Sequence, residues 1–162
     1  MAIGLSAGPA ALAVDPSCQP LIHAGEKQIS TPNHVYMTTT RDGKARTREV
    51  IMAGDTIYVM VNGKWNRSSL TPQKIQELQA ENLNRGKSMT CHYLRDESVN
   101  GEAAAVYGTQ GDSEFGKTES TIWISKSKSL PLRTEMDMSL GGKMGKSHMS
   151  IRYEYSQVKP PA

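Results

Sequence analysis

Three runs rich in β-branched and aromatic residues constrain the fold of this chain most strongly. They lie at residues 119–125, 129–138 and 149–155, and Lys/Ser/Pro and Gly/Lys/Ser stretches separate them. This pattern is typical of consecutive antiparallel strands. In the last run every second residue is apolar: Met149, Ile151, Tyr153 and Tyr155. The alternation predicts a sheet with one packed face and one solvated face.

Short turn signals divide the upstream sequence into further hairpins. The dipeptides Asp42-Gly43, Asn62-Gly63 and Asn100-Gly101 are strong hairpin turns. Between these signals we expect strands at 34–40, 45–52, 56–61, 64–67, 89–94 and 102–109. The polar stretch 110–118, with the single phenylalanine Phe115, is expected to be a loop. In total the sequence predicts about nine strands.

One helix is predicted in mid-chain and a second near the N-terminus. Thr71 and Pro72 form a capping residue followed by a proline in the first turn. A thin apolar stripe follows and the helix should end at Gly86. Residues 18–29 fit a second, shorter helix that Gly25 weakens. The fold class is therefore mainly β (α+β), in a single domain over residues 14–162.

The first 13 residues have the character of a signal-peptide remnant. Residues 2–14 carry no charge, and Ala11-Leu12-Ala13 is followed at once by Val14-Asp15-Pro16. An A-x-A site after an apolar stretch indicates cleavage on export, although the usual basic region is missing. The alternative is an apolar tail or an N-terminal strand. No later stretch reaches the length of a membrane span, so we expect an exported, periplasmic protein.

The two cysteines fit an oxidising compartment. Cys18 and Cys91 are expected to form a disulfide, because exported proteins with an even cysteine number usually pair them. The alternative is two buried free thiols.

The charge distribution and the motifs argue against nucleic-acid binding and against catalysis. Basic residues cluster only in small groups at 41–48 and 126–133, which are typical of solvated strand faces and lack the density of a nucleic-acid site. The four histidines are dispersed, and no nucleophile elbow, phosphate loop or zinc spacing occurs. We therefore predict neither an enzyme nor a cofactor.

Methionine is abundant, with nine residues against one phenylalanine. Flexible methionines beside aromatic side chains suit a surface that accepts varied apolar ligands. Alternatively, methionine fills the core in place of phenylalanine. The predicted ligand-binding residues are Met37, Met52, Tyr58, Met60, Trp65, Tyr107 and Trp123.

A second methionine group offers a metal site. Thioether and imidazole ligands suit copper, and Met136, Met138, Met144 and His148 lie close in sequence. The same stretch also fits a plain hairpin loop, and its lysines disfavour a cation.

The order of elements resembles the periplasmic lipoprotein-carrier (LolA-like) superfamily, and more closely small uncharacterised exported proteins of Gram-negative bacteria. The resemblance covers about residues 20–158 and includes Trp123-Ile124-Ser125 and Leu130-Pro131-Leu132-Arg133 before a closing aromatic strand. The glycine usual before Leu-Pro is absent, since 126–129 is Lys-Ser-Lys-Ser. The resemblance implies a strongly curved, incompletely closed antiparallel half-barrel. Its helices would lie on the concave side of the sheet, around a cavity for acyl chains.

Three functions follow from these observations. The first is an exported, non-enzymatic binding or carrier protein for a lipid or lipoprotein acyl chain. The second is a periplasmic copper protein that uses the 136–149 loop. The third is a structural or regulatory protein with a filled core, whose partner would be another periplasmic or outer-membrane protein.

Overall fold

The computed structural model describes residues 15–85, 88–113 and 116–162, and within them one antiparallel sheet dominates. Two α-helices are present, α1 (Gln19–Ile29) and α2 (Pro72–Arg85). The strands are β1 (Asn33–Arg41), β2 (Lys44–Ala53), β3 (Thr56–Val61), β4 (Lys64–Arg67), β5 (Ser88–Val99), β6 (Glu102–Ser113), β7 (Gly116–Ser125), β8 (Pro131–Leu140) and β9 (Lys146–Glu154). Short 3-10 turns precede α1 and β9.

The nine strands form a single open sheet. Their order is β4-β3-β2-β1-β9-β8-β7-β6-β5, and every neighbouring pair is antiparallel. In the described residues β4 and β5 are the two edges and do not pair with each other. The predicted mainly β architecture, incompletely closed and with one or two helices, is confirmed.

Tight turns set the register of three hairpins. Asp42 and Gly43 have φ of 51° and 70°, and the Asn-Gly pairs at 62–63 and 100–101 also have two consecutive positive φ values. Two left-handed residues in a row match the right-handed twist of the flanking strands. The hairpin positions predicted from these dipeptides are confirmed.

The predicted loop at 110–118 is wrong for most of its length. Strand β6 continues to Ser113 and β7 begins at Gly116, with Asp112 opposite Lys117 in the ladder. Backbone hydrogen bonds join the strands whatever the side-chain polarity, so a polar composition did not interrupt the pairing. Phe115 lies outside the described residues, as do the predicted helix end at Gly86 and the predicted signal segment.

Helix α1 packs onto the sheet through its C-terminal half. Ala24 and Ile29 are buried, and Gln28 Nε2 lies 4.0 Å from Met52 Sδ on β2. The buried polar groups have partners: Gln28 Nε2 donates to Asn33 Oδ1 over 3.1 Å, and Asn33 Nδ2 donates to the Gln28 carbonyl over 2.8 Å. Because both amides are satisfied, their burial does not carry the penalty of an unpaired polar group.

A disulfide fixes the start of α1 to the edge strand β5. Cys18 and Cys91 are bonded, with their Cα atoms 5.0 Å apart, and both are buried. The Cys91 amide also donates to Ser17 Oγ over 3.3 Å. The predicted pairing is confirmed, and the bond links two elements that are distant in sequence.

Helix α2 begins as its sequence predicts. The amide of Lys74 donates to Thr71 Oγ1 over 3.2 Å, the hydrogen bond expected of a capping threonine. Most of the helix is exposed, including Leu78 at 38%. Neither described helix is long and apolar enough to cross a membrane.

Candidate functional site

The two helices and the sheet line an apolar cavity of about 810 Å³ that is open to solvent on one side. Helix α1 contributes Leu21, Ile22 and Gly25, and α2 contributes Ala80 and Leu83. The volume falls in the range typical of small-molecule sites. Its walls come from two helices that meet the sheet from the same side, so the site exists only in the folded chain.

Alternate residues of the central strands form the floor of this cavity. Strand β7 provides Thr118, Ser120 and Ile122, and Met136 of β8 lies directly opposite Ser120. Side chains two apart on a strand share a face, which explains why odd-numbered residues of β7 are absent from the floor. The cavity side of β6 carries Thr109 and Gly111.

Small side chains account for the empty space. Gly25 faces the cavity from α1, and a Cβ atom built on it meets no other atom within 4 Å. Ala80 on α2 and Gly111 and Ser120 on the floor are also small. A space between packed elements remains open where large residues do not fill it, so this composition produces a cavity in place of a core.

The rim is more polar than the floor. Gln76, Gln79 and Asn82 of α2 line the cavity together with Glu26 of α1. All four residues are exposed. A few polar groups around an apolar volume are the usual arrangement of sites that orient an amphiphilic ligand.

The structure divides the predicted ligand-binding residues between the two faces of the sheet. Met37, Met52 and Tyr107 lie on the helix side, by their register with residues that face the helices or the cavity. The opposite face carries the other four: Tyr58, Met60, Trp65 and Trp123. None of the seven is among the described residues that line the cavity. Their part in ligand binding stays a prediction.

On the opposite face of the sheet, Trp123 packs against other side chains of the sheet. Trp123 joins Ala104, Val106 and Leu132 in a buried hydrophobic cluster, and its Nε1 donates to Glu97 Oε2 over 3.2 Å. The Arg133 guanidinium lies 4.8 Å from the centre of the Trp123 ring. These contacts stabilise the sheet and leave the Trp123 side chain 6% exposed.

The predicted copper ligands are not all brought together. Met136 and Met138 lie on the helix side, whereas His148 lies on the opposite face, in register with Asp137. The side chain of Met144 lies outside the described part of the structure. Among the described residues no group of three His, Cys, Asp or Glu side chains could hold a metal ion.

His148 instead forms ion pairs with two carboxylates. Its Nδ1 lies 2.8 Å from Asp137 Oδ1 and its Nε2 lies 2.7 Å from Glu135 Oε2. The hydrogen bonds to Asp137 and then Glu135 raise the pKa of His148 above its usual value. Burial alone would raise the pKa of Glu135, but hydrogen bonds from Arg133, Ser150 and His148 together lower it. With both nitrogens engaged, this imidazole is a structural link between β8 and β9.

Most of the residues that line the cavity were missed because they are small or polar. A search for large methionine and aromatic side chains passes over Gly25, Ala80, Thr109 and Ser120, whose importance is the volume they leave empty. The sequence feature that could have located the cavity is the run of alternate Thr, Ser and Gly residues in β6 and β7. Helices α1 and α2 turn a glycine and an alanine toward these strands.

Comparison with known proteins gives distant structural matches. No family model matches the sequence, and no curated protein matches it significantly. Among solved structures, LprF from Mycobacterium bovis is 10% identical, with a TM-score of 0.44 and coverage of 93% of this chain and 98% of that chain. Lipoprotein LppX from Mycobacterium tuberculosis is 14% identical, with a TM-score of 0.43 and coverage of 89% and 98%.

A third match is MucB, in a structure of its complex with MucA. It is 13% identical, with a TM-score of 0.45, and the match covers 91% of this chain and 60% of that chain. A putative outer-membrane lipoprotein-sorting domain from Vibrio parahaemolyticus also matches, with a TM-score of 0.24.

Proposed function

We propose that this chain is an exported, non-enzymatic protein that binds a lipid or acyl chain in the cavity between its helices and its sheet. The observation that carries the proposal is the apolar cavity of about 810 Å³. Burial of alkyl groups there is favourable by about 0.8 kcal/mol per methylene. No covalent chemistry is needed for this role.

Two further features support the role. The cavity contacts α2, which is largely exposed and whose loose packing suits an element that moves to admit a ligand. The Cys18–Cys91 disulfide fits an oxidising, extracytoplasmic compartment. A lipid donor or acceptor in that compartment, membrane or protein, would be the natural partner.

The test fills the cavity without harming the fold. Replacing Gly25 by leucine places an apolar side chain in open space and improves helix propensity by about 0.8 kcal/mol. We expect Gly25→Leu to be at least as stable as the wild type and to bind monopalmitoylglycerol about tenfold more weakly, because the ligand and the leucine compete for one volume. Binding is measured by titration under native mass spectrometry, and stability by thermal unfolding.

Gly141→Leu is the matched control. Gly141 also has open space around its Cβ position but lies outside the cavity. Its leucine variant should bind monopalmitoylglycerol as the wild type does. If the wild type does not bind this probe, or if Gly25→Leu binds it with unchanged affinity, the proposed function is wrong.

A further inference from the structure

The basic group at 41–48 acquires a defined position in the structure. Arg41 ends β1, and Lys44, Arg46 and Arg48 lie on β2, at a part of that strand that pairs with β1 and not with β3. The register places Arg41 opposite Lys44, and alternation places Arg46 and Arg48 on the same face. All four side chains are exposed.

This face of the hairpin is continuous with the cavity face of the sheet. Directly paired residues in a sheet point to the same side. Arg46 pairs with Thr39, Thr39 pairs with Met149, and Met149 pairs with Met136, which lines the cavity. The four cations therefore lie on the helix side of the sheet.

A parallel row of residues leads to the same floor. Arg48 pairs with Met37, Met37 with Ile151, Ile151 with Thr134, and Thr134 with Ile122 of the cavity floor. Met37, Met149 and Ile151, with the two threonines Thr39 and Thr134, thus span the gap between the cations and the cavity. Three strand spacings separate β2 from β8, a distance of about 14 Å along the sheet.

The four cations have no anionic partner among the residues that the structure describes. None of them forms a salt bridge among the described residues. Some exposed basic residues elsewhere are paired, as Lys126 is with Asp96 and Arg152 with Glu154. Unpaired arginines present forked donors that fit phosphate oxygens.

We infer that Arg46 and Arg48, with Arg41 and Lys44 beside them, bind the anionic headgroup of an amphiphile whose alkyl chain crosses Met149 and Met37 and ends in the cavity. This inference rests on the proposed function and narrows its ligand to a lipid with a phosphate or similar anionic group. The arrangement places the charged end at the solvated hairpin and the apolar end under the helices. One ligand therefore engages both features of the same face.

The test compares two probes that differ only in a phosphate. Palmitoylglycerol phosphate and monopalmitoylglycerol are titrated into the wild type, into Arg46→Gln/Arg48→Gln and into a control variant. The control, Lys117→Gln/Lys159→Gln, removes the same two charges from exposed positions outside the patch; Lys117 neighbours the floor residue Thr118 and so faces the opposite side. Thermal unfolding confirms that each variant is folded.

We expect the wild type and the control to prefer the phosphate probe by about threefold to tenfold, as two exposed charge pairs would give. The preference should weaken at high salt and disappear in Arg46→Gln/Arg48→Gln, while all three proteins bind monopalmitoylglycerol equally. Absence of the preference in the wild type, or its persistence in the double variant, overturns the inference.

Two further arms identify the source of the phosphate. Glycerol phosphate, which lacks the alkyl chain, should not displace palmitoylglycerol phosphate at equal concentration. Displacement would show a site for a free phosphate and overturn the amphiphile assignment.

The second experiment tests for membrane docking. Sedimentation with phosphatidylglycerol vesicles should be the same for the control and the double variant. A loss confined to the double variant, with monomeric probe binding unchanged, would mean a membrane-docking surface instead. Failure of both probes to bind the wild type would overturn the proposed function itself.

Discussion

At the scale of single residues, Ser129 has the backbone conformation that glycine adopts most easily. Its φ is 55°, and the turn that contains it is held by the Ser129 amide donating to the Ser125 carbonyl over 2.9 Å. The family that the sequence resembles has glycine ahead of Leu-Pro at this point of the chain. The turn keeps its geometry with serine, at the cost of a left-handed residue that bears a Cβ atom.

Ser129→Gly should therefore stabilise the protein. Relief of the left-handed strain is worth about 1 kcal/mol, and the greater freedom of glycine in the unfolded chain offsets part of it. We expect the free energy of unfolding to rise by about 0.5 kcal/mol, measured by urea denaturation. Ser127→Gly in the same turn is the control and should not stabilise, because Ser127 does not have a positive φ. A destabilised Ser129→Gly variant would contradict this account of the turn.

The limits of prediction are also clearest at the residue scale. The alternation of Met149, Ile151 and Tyr153 correctly gives their common face, because a strand has a period of two. Alternation shows which residues of one strand share a face. It does not show which residues of the neighbouring strand lie on that same face of the sheet, because that depends on the pairing register. Met37 and Met60 were assigned to one lining for this reason, although the sheet separates them.

At the scale of elements, the strands and both helices followed from local signals, whereas their packing did not. The Asp-Gly and Asn-Gly turns and the Thr71 cap act within a few residues, so the sequence contains them directly. The placement of α1 and α2 over β6 to β8 depends on contacts between distant parts of the chain. Local signals therefore do not give the position of the cavity, and only the family resemblance implied a cavity beside the helices.

The disulfide is the covalent element that holds α1 to the sheet. It closes 73 residues of sequence between the start of α1 and β5. In the chain-entropy model a loop of this length contributes roughly 4 kcal/mol to stability. Both Leu21 and Met89 of the cavity wall lie within a few residues of the bond.

Replacing both cysteines by serine should lower the free energy of unfolding by roughly 4 kcal/mol. Denaturant titration of the double variant gives this value, and the wild type under reducing conditions should agree with it. A decrease below about 1 kcal/mol in the variant would show that the bond does not restrain α1 and β5 in the unfolded chain.

At the scale of the whole molecule, one face of an open nine-stranded sheet carries two helices, an apolar cavity and a cationic hairpin. The other face is packed by its own aromatic and charged side chains, such as Trp123 with Arg133. The cavity exists because small residues such as Gly25, Ala80, Gly111 and Ser120 lie where the helices face β6 to β8 and leave space between them.

The central claim is that the cavity holds an apolar ligand in the native protein. The most direct measurement is native mass spectrometry of the chain produced with export to the periplasm and purified without detergent, alongside the Gly25→Leu variant as the filled-cavity control. The account predicts an adduct of lipid mass on the wild type, its loss on denaturation, and little or none on Gly25→Leu. An unliganded wild type that also fails to take up added palmitoylglycerol phosphate, or an equal adduct on both proteins, would contradict it.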